Sequence, residues 1–381
     1  MVTYHHTDLA PGAVARAPRY RAWAAAIVRT AGVQAVTWTR KNLFCSLLDG
    51  AVTIVFVSVA TYFGLRFLNW ALVNATGFGS VSSCNANTGA CWVAVTDNIN
   101  LFLFGTYPVE ARWRALFVLC LIVGSFCLLF RPELRRFRFC IALYFASVAL
   151  AFVMLIGWKP IGLAPVDADR IGGVVLTVVL SWVALPLSLP FALFLALGRQ
   201  SELPVIRAMA ISYIEIVRGL PMVVVLFLAS VILPLLFQGG LNVQAVFRAL
   251  FAITLFSAAY QAEVIRGGLQ SVSEGQVEAG KSLGLSYWAI QLKIVVPQAL
   301  SAVVRPMAGV IVLFVKDTSL VSVVGLFELA GITSIVITKP EWTPFSIETY
   351  LFASAIYVTL CLAVSRLASN VEHEVTAFRR R

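Results

Sequence analysis

The chain has 381 residues, 60% of them hydrophobic and only 12% charged, with a formal net charge of +11 and a mean hydropathy of +0.89. Soluble domains carry about 25% charged residues, so these totals exclude a chain whose folded surface lies mostly in water. The basic residues form short clusters between apolar runs, the pattern of loops beside anionic lipid, and nucleic acid is excluded as a partner.

Residues 1–48 hold six basic residues and lack an apolar core ahead of a cleavage site, so they read as a cytoplasmic tail rather than a secretory signal. The Ala- and Val-rich run 22–37 suits the membrane surface. Eight apolar runs follow, at 49–70, 115–130, 140–158, 172–197, 209–237, 245–265, 299–316 and 348–366. A crossing helix needs about 20 apolar residues, so the expected fold is all-α, an integral membrane protein of about eight transmembrane helices. The fifth run is expected to be one span interrupted at Pro221 and Pro234. Twenty basic residues fall on the N-terminal side of the membrane and five on the other, which places both termini in the cytoplasm by the positive-inside rule.

Cys84 and Cys91 bracket a polar stretch in the loop after the first run, on the outer side. An oxidising compartment permits a disulfide there, and two unpaired thiols are the alternative. Cys45, Cys120, Cys127, Cys140 and Cys361 lie in or beside apolar runs, where a small apolar role suffices. Pro160, Gly162, Pro165 and residues 167–170 make a joint. Residues 49–165 then carry three helices, an outer loop and no motif, whereas 166–381 carry five helices and most of the informative polar residues.

Ionisable groups at membrane depth face a cavity or a partner. Glu215 and Arg218 are three apart, as are Glu263 and Arg266, so each pair shares a helix face and can form an ion pair. Near the cytoplasmic end, a structural staple is the favoured reading. Lys316 and Asp317 close the seventh run on its outer half, followed by Thr318 and Ser319; Gly219 and Met222 flank the Pro221 break. No nucleophile–base pair surrounds His5, His6 or His373 and no metal-ligand spacing occurs, so the chain is not expected to be an enzyme or to hold a cofactor.

The polar insert after the sixth run is the most informative stretch. Glu278-Ala279-Gly280 is followed by Gly284, Ile294, Val296 and Pro297. The spacing predicts two short helices bent at Gly284, where glycine permits positive φ, with Pro297 opening the next span. Such a polar-tipped knob suits a groove on a soluble partner. Gly275, Gly280, Lys281 and Ser282 also satisfy G-x-x-x-x-G-K-S. A phosphate-binding loop needs a buried strand before it and a nucleotide domain around it, and neither has room.

The insert resembles the EAA loop of binding-protein-dependent ABC importer permeases, Glu-Ala-Ala, three residues, Gly, nine residues, Ile-x-Leu-Pro. Gly280 replaces the second Ala and Val296 replaces Leu. Three further segments resemble those of the polar amino acid permeases: Tyr213 to Pro221 (with Leu220 in place of Thr), Tyr260 to Gly268, and Lys316-Asp-Thr-Ser-Leu320. The longer N-terminal half is similar to that of permease subunits of general L-amino acid importers. The resemblance implies a MetI-like five-helix core in 166–381 and an ATPase-coupling loop within 271–297, with Glu278, Ala279, Gly280, Ser282, Leu283 and Gly284 docking a partner. It implies a multi-pass subunit of the bacterial inner membrane that moves amino acids inward. The partners implied are two copies of an ABC ATPase holding ATP and Mg, a second permease (a non-identical homologue), and a periplasmic amino acid-binding protein. For an amino acid substrate, Asp317 could take the ammonium, and Lys316 or Ser319 the carboxylate; Lys316 and Asp317 neutralising each other is the alternative. A secondary transporter driven by an ion gradient is the rival reading; it predicts inverted repeats, and none is visible.

Overall fold

The computed structural model describes residues 37–85, 88–134, 137–236 and 243–379. Most of the 1–48 tail, with Arg16, Arg19, Arg21, Arg29, His5 and His6, lies outside the described residues, as do Arg135, Arg136, Arg380 and Arg381. Among the described residues seven helices are long and apolar enough to cross a membrane, or eight if one sharply bent pair counts as a span. No strand occurs among them, only two isolated bridges.

Packing divides the chain at Ala75–Thr76. The first unit holds α1, Leu47–Leu68, capped by the Ser46 hydroxyl, which accepts from the Asp49 N–H; a π-helical turn, Asn69–Val73, extends it. The second unit begins with a folded segment of short helices, Val81–Asn85, Val93–Thr96 and Ile99–Phe104. It continues with α2 (Arg112–Leu128), α3 (Phe137–Ile156), α4 (Gly173–Arg199), α5 (Pro204–Gly219) and α6 (Met222–Phe227). Next come α7 (Ala245–Gln270), α8 (Glu274–Ser282), α9 (Tyr287–Ile290) and α10 (Val296–Ala302). The last three are α11 (Val304–Asp317), α12 (Leu329–Thr338) and α13 (Ser346–Arg379).

The joint expected at 160–170 is not a packing boundary. Phe102, Tyr107, Val118 and Leu155 share one core with Val175, Leu180, Ile253 and Leu329. The 160–170 connection is itself pinned: Arg114 donates to the Ala164 carbonyl at 2.8 Å, and the Asp169 carboxylate accepts from the Ala245 and Val246 N–H groups, capping α7. Helices α4 and α7 form the axis of this unit. Ala252, Ala258, Ala259 and Ala262 are buried on α7, small residues that let helix backbones approach where lipid offers no hydrophobic drive.

Helix α4 contains Pro186 and Pro190, and its neighbours supply polar support around them. Tyr144 donates to the Val183 carbonyl at 2.8 Å, Trp182 Nε1 donates to Ser147 at 3.0 Å, and Gln261 Nε2 donates to the Leu185 carbonyl at 3.2 Å. Tyr144 and Ser147 belong to α3, so the N-terminal half braces the proline-bearing helix of the C-terminal half; membrane helices tolerate proline when neighbours supply such bonds.

Two expectations change. The fifth run is two helices, Pro204–Gly219 and Met222–Ile232, bent by 104°. Leu220 and Pro221 are both extended (ψ 144° and 139°), because a proline ring pushes the preceding residue out of the α region. Pro234 makes no comparable break: the π-helical turn Leu228–Ile232 precedes it, and such a turn shifts the backbone register that the ring would otherwise oppose. The span expected to end at Lys316 continues as a 3-10 helix, Thr318–Val324. The stretch 318–347, between the seventh and eighth apolar runs, therefore holds the end of a span and the buried helix α12.

Candidate functional site

The insert folds as a knob on the end of α7. Helix α8 closes with a Schellman motif: Leu285 N–H donates to the Gly280 carbonyl at 3.1 Å and Gly284 N–H to the Lys281 carbonyl at 2.9 Å. Gly284 takes φ +72°, a conformation side chains resist. The Ser286 hydroxyl then caps α9, and the chain returns through a π-helical turn, Gln291–Val295, two residues before Pro297. Gly280 is buried; a Cβ there would stand 2.9 Å from Ile290 Cγ1. The two short helices therefore close on each other through that glycine, which accounts for Gly where the resembled motif has Ala. Residues Gly275 to Ser282 are helical throughout, so the G-x-x-x-x-G-K-S stretch is no phosphate loop.

Glu278, Ala279, Ser282, Leu283 and Gly284 are all exposed. The tip is not the polar one expected: Leu283 is 77% exposed and Trp288 60%, with Tyr287 beside it. Contiguous exposed apolar groups rimmed by polar ones mark interaction surfaces. At its base the knob is clamped to α7. A Cβ on Gly268 would lie 2.6 Å from the Ala299 carbonyl oxygen, so α7 and α10 cross backbone to backbone.

Behind the knob, Glu215, Arg218, Glu263 and Arg266 meet in one network, in which Glu263 pairs with Arg266 as expected and Glu215 does not pair with Arg218. No salt bridge joins Glu215 to Arg218. Glu215 pairs with Arg199 at 3.0 Å, and Glu263 receives Arg199 at 3.3 Å, Arg218 at 3.8 Å and Arg266 at 2.5 Å. Arg218 also lies over the Tyr260 ring, 5.6 Å from its centre. Three-residue spacing puts Glu215 and Arg218 on one face, but Arg199, at the end of α4, reaches the carboxylates of Glu215 and Glu263 from another helix, and local spacing cannot reveal that.

The residues expected along a substrate path come together at the bend. Helix α6 packs against the 3-10 segment 318–324. Gly219 is exposed and Met222 buried. Lys316 is exposed within a span and Asp317 is partly buried. No ion pair joins them, and the Asp317 carboxylate has no hydrogen-bond partner among the described residues. A cation exposed at that depth belongs to a water-filled cavity or a protein partner rather than to lipid. Thr318 is buried and its hydroxyl donates to the Val315 carbonyl at 2.8 Å, so it serves its own helix. Ser319 is partly buried.

Sequence reasoning missed two buried carboxylates. Glu328 is fully buried. It caps α12 by accepting from the Ala330 and Gly331 N–H groups at 2.8 and 2.9 Å, and accepts from the Thr177 hydroxyl at 3.1 Å and from Tyr357. Helices α4, α12 and α13 thus meet on one carboxylate. Glu348, also buried, accepts from the Cys91 N–H at 2.9 Å. Cys84 and Cys91 are joined by a disulfide. The available signal was an acidic residue inside an apolar stretch, which at membrane depth points to a specific partner.

A family model, binding-protein-dependent transport system inner membrane component, matches residues 188–377. The inner membrane amino-acid ABC transporter permease protein YhdY of Escherichia coli (strain K12) is 36% identical over 344 residues, covering 89% of this chain and 92% of the relative. The glutamate/glutamine/aspartate/asparagine transport system permease protein BztC of Rhodobacter capsulatus is 31% identical over 408 residues, covering 90% of this chain and 94% of the relative. A crystal structure of an amino acid ABC transporter with histidines aligns at 32% identity and a TM-score of 0.47, over 53% of this chain and 92% of that one.

Proposed function

Because the chain belongs to the family of binding-protein-dependent transport system inner membrane components, we propose that it is the permease of an importer carrying L-amino acids of broad range into the cytoplasm. The ATPase is a separate subunit, present in two copies and holding ATP and Mg, and it grips the knob at Glu278 to Gly284. The observation that carries this reading is the knob: a pair of short helices with an exposed apolar tip, standing at the end of an apolar bundle.

Orientation follows. The knob belongs on the cytoplasmic side with both termini, and the 76–107 segment on the periplasmic side, where its disulfide is compatible with an oxidising compartment. That side receives substrate from a periplasmic binding protein. A second permease, a non-identical homologue, completes the path along Gly219, Met222, Lys316, Asp317, Thr318 and Ser319. Asp317 takes the substrate ammonium, and Lys316 with Ser319 its carboxylate.

The test is co-purification from detergent-solubilised membranes. Wild type should bring an ABC ATPase, and Glu278→Arg and Leu283→Asp should lose it without losing the chain. Absence of any ATPase with wild type would remove the docking role of the knob.

A further inference from the structure

The ion network joins what lies on either side of it. Toward the knob, Arg266 holds Glu263 with one arm and Gln270, the last residue of α7, with another at 2.7 Å. The knob starts at the next residue, and its returning limb crosses α7 at Gly268 against the Ala299 carbonyl. Both limbs are therefore fixed to the last turns of α7. Toward the path, Arg218 stands one residue before Gly219 and two before Leu220, where the helix turns by 104°. Beyond the turn, α6 packs on the segment that follows Asp317.

Glu263 is the common element. It accepts three guanidinium groups, from α4, α5 and α7. A simple staple needs one cation per carboxylate. Here the arms are unequal: Arg266 is held at 2.5 Å, whereas Arg218, nearest the bend, stands at 3.8 Å and shares itself with Tyr260. The four side chains are 23–36% exposed, and the weight of the cluster lies in the geometry it fixes among three helices. Without Glu263, three cations would face each other with Glu215 alone among them.

We propose that Glu263 is a positioning residue for coupling, joining the inner ends of α4, α5 and α7 into one lever between the knob and the Leu220–Pro221 bend. Displacement of the knob then reaches the bend as a rigid movement of α5 through Arg218. This inference rests on the knob being the ATPase dock.

The assembled importer, reconstituted in proteoliposomes, tests it by simultaneous measurement of ATP hydrolysed and amino acid moved. Glu263→Gln should still bring the ATPase but move about tenfold less substrate per ATP, within the usual range of a coupling free energy, and Glu263→Asp should recover most of that ratio. A wild-type ratio in Glu263→Gln overturns the lever. A second variant decides the matter should Glu263→Gln not assemble. With Arg199→Cys and Glu215→Cys together, bridging the thiols with a short cross-linker should raise the ratio over the unbridged form, because a covalent tie replaces the ionic one; no gain on bridging overturns the inference. Failure of the wild-type chain to bring any ATPase would instead sink the docking reading beneath it.

Discussion

The Glu348 carboxylate accepts the Cys91 backbone N–H at 2.9 Å, joining residues 257 positions apart. Around it, Lys339 donates to Asn98 at 2.9 Å and the Phe102 ring meets Phe352 edge to face at 5.2 Å. The segment before α2 is thereby fastened to α12 and α13. Glu348→Ala leaves a buried donor without its acceptor, which costs about 1–3 kcal/mol. Hydrogen exchange should show faster opening of residues 88–104 in that variant; unchanged protection would mean the contact holds nothing.

Glu328 gathers α4, α12 and α13 without a cation among the described residues that hydrogen-bond to it. Glu328→Ala removes the cap of α12 and takes the carboxylate acceptor from the Tyr357 hydroxyl, a loss of at least about 2 kcal/mol. Glu328→Gln, which keeps one acceptor, should lose less. The thermal transition of the detergent-solubilised chain orders the three proteins: wild type highest, Gln next, Ala lowest.

Two adjacent glycines should behave oppositely. A Cβ at Gly267 meets nothing within 4 Å, whereas one at Gly268 meets the Ala299 carbonyl at 2.6 Å. Gly267→Ala should fold and assemble as wild type, or better by up to about 1 kcal/mol from helix propensity. Gly268→Ala should force α7 and α10 apart and reduce the ATPase retained on purification. Equal retention by both variants would show that the crossing can relax.

Asp317 is a carboxylate without a hydrogen-bond partner among the described residues, within a span and beside an exposed lysine. Asp317→Asn should abolish uptake of amino acids while the importer still assembles. Full uptake by that variant would remove Asp317 from the path.

Much of this protein was legible as sequence. Hydropathy located the spans because lipid imposes one requirement on every crossing segment, a long apolar helix that satisfies its own backbone. The bend at Gly284 was legible because a helix ending in positive φ needs glycine. Pro221 marked a break for an equally local reason, although the size of the turn was not readable.

Tertiary structure decided the rest. Arg199 joined Glu215 and Glu263 from another helix, and a pairing across helices leaves no periodic trace in the chain. Glu328 and Glu348 have partners at positions 177 and 91, which only folding brings to them. The stretch 318–347 carries no apolar run of spanning length because α12, at ten residues, is too short to cross a membrane; only burial against α4 and α13 makes it a helix of the core. The apolar tip of the knob was hidden by its polar composition, since the fold alone chooses which of its side chains face outward. Local rules of lipid and backbone were written along the chain, and the contacts between distant residues existed only once the helices had packed.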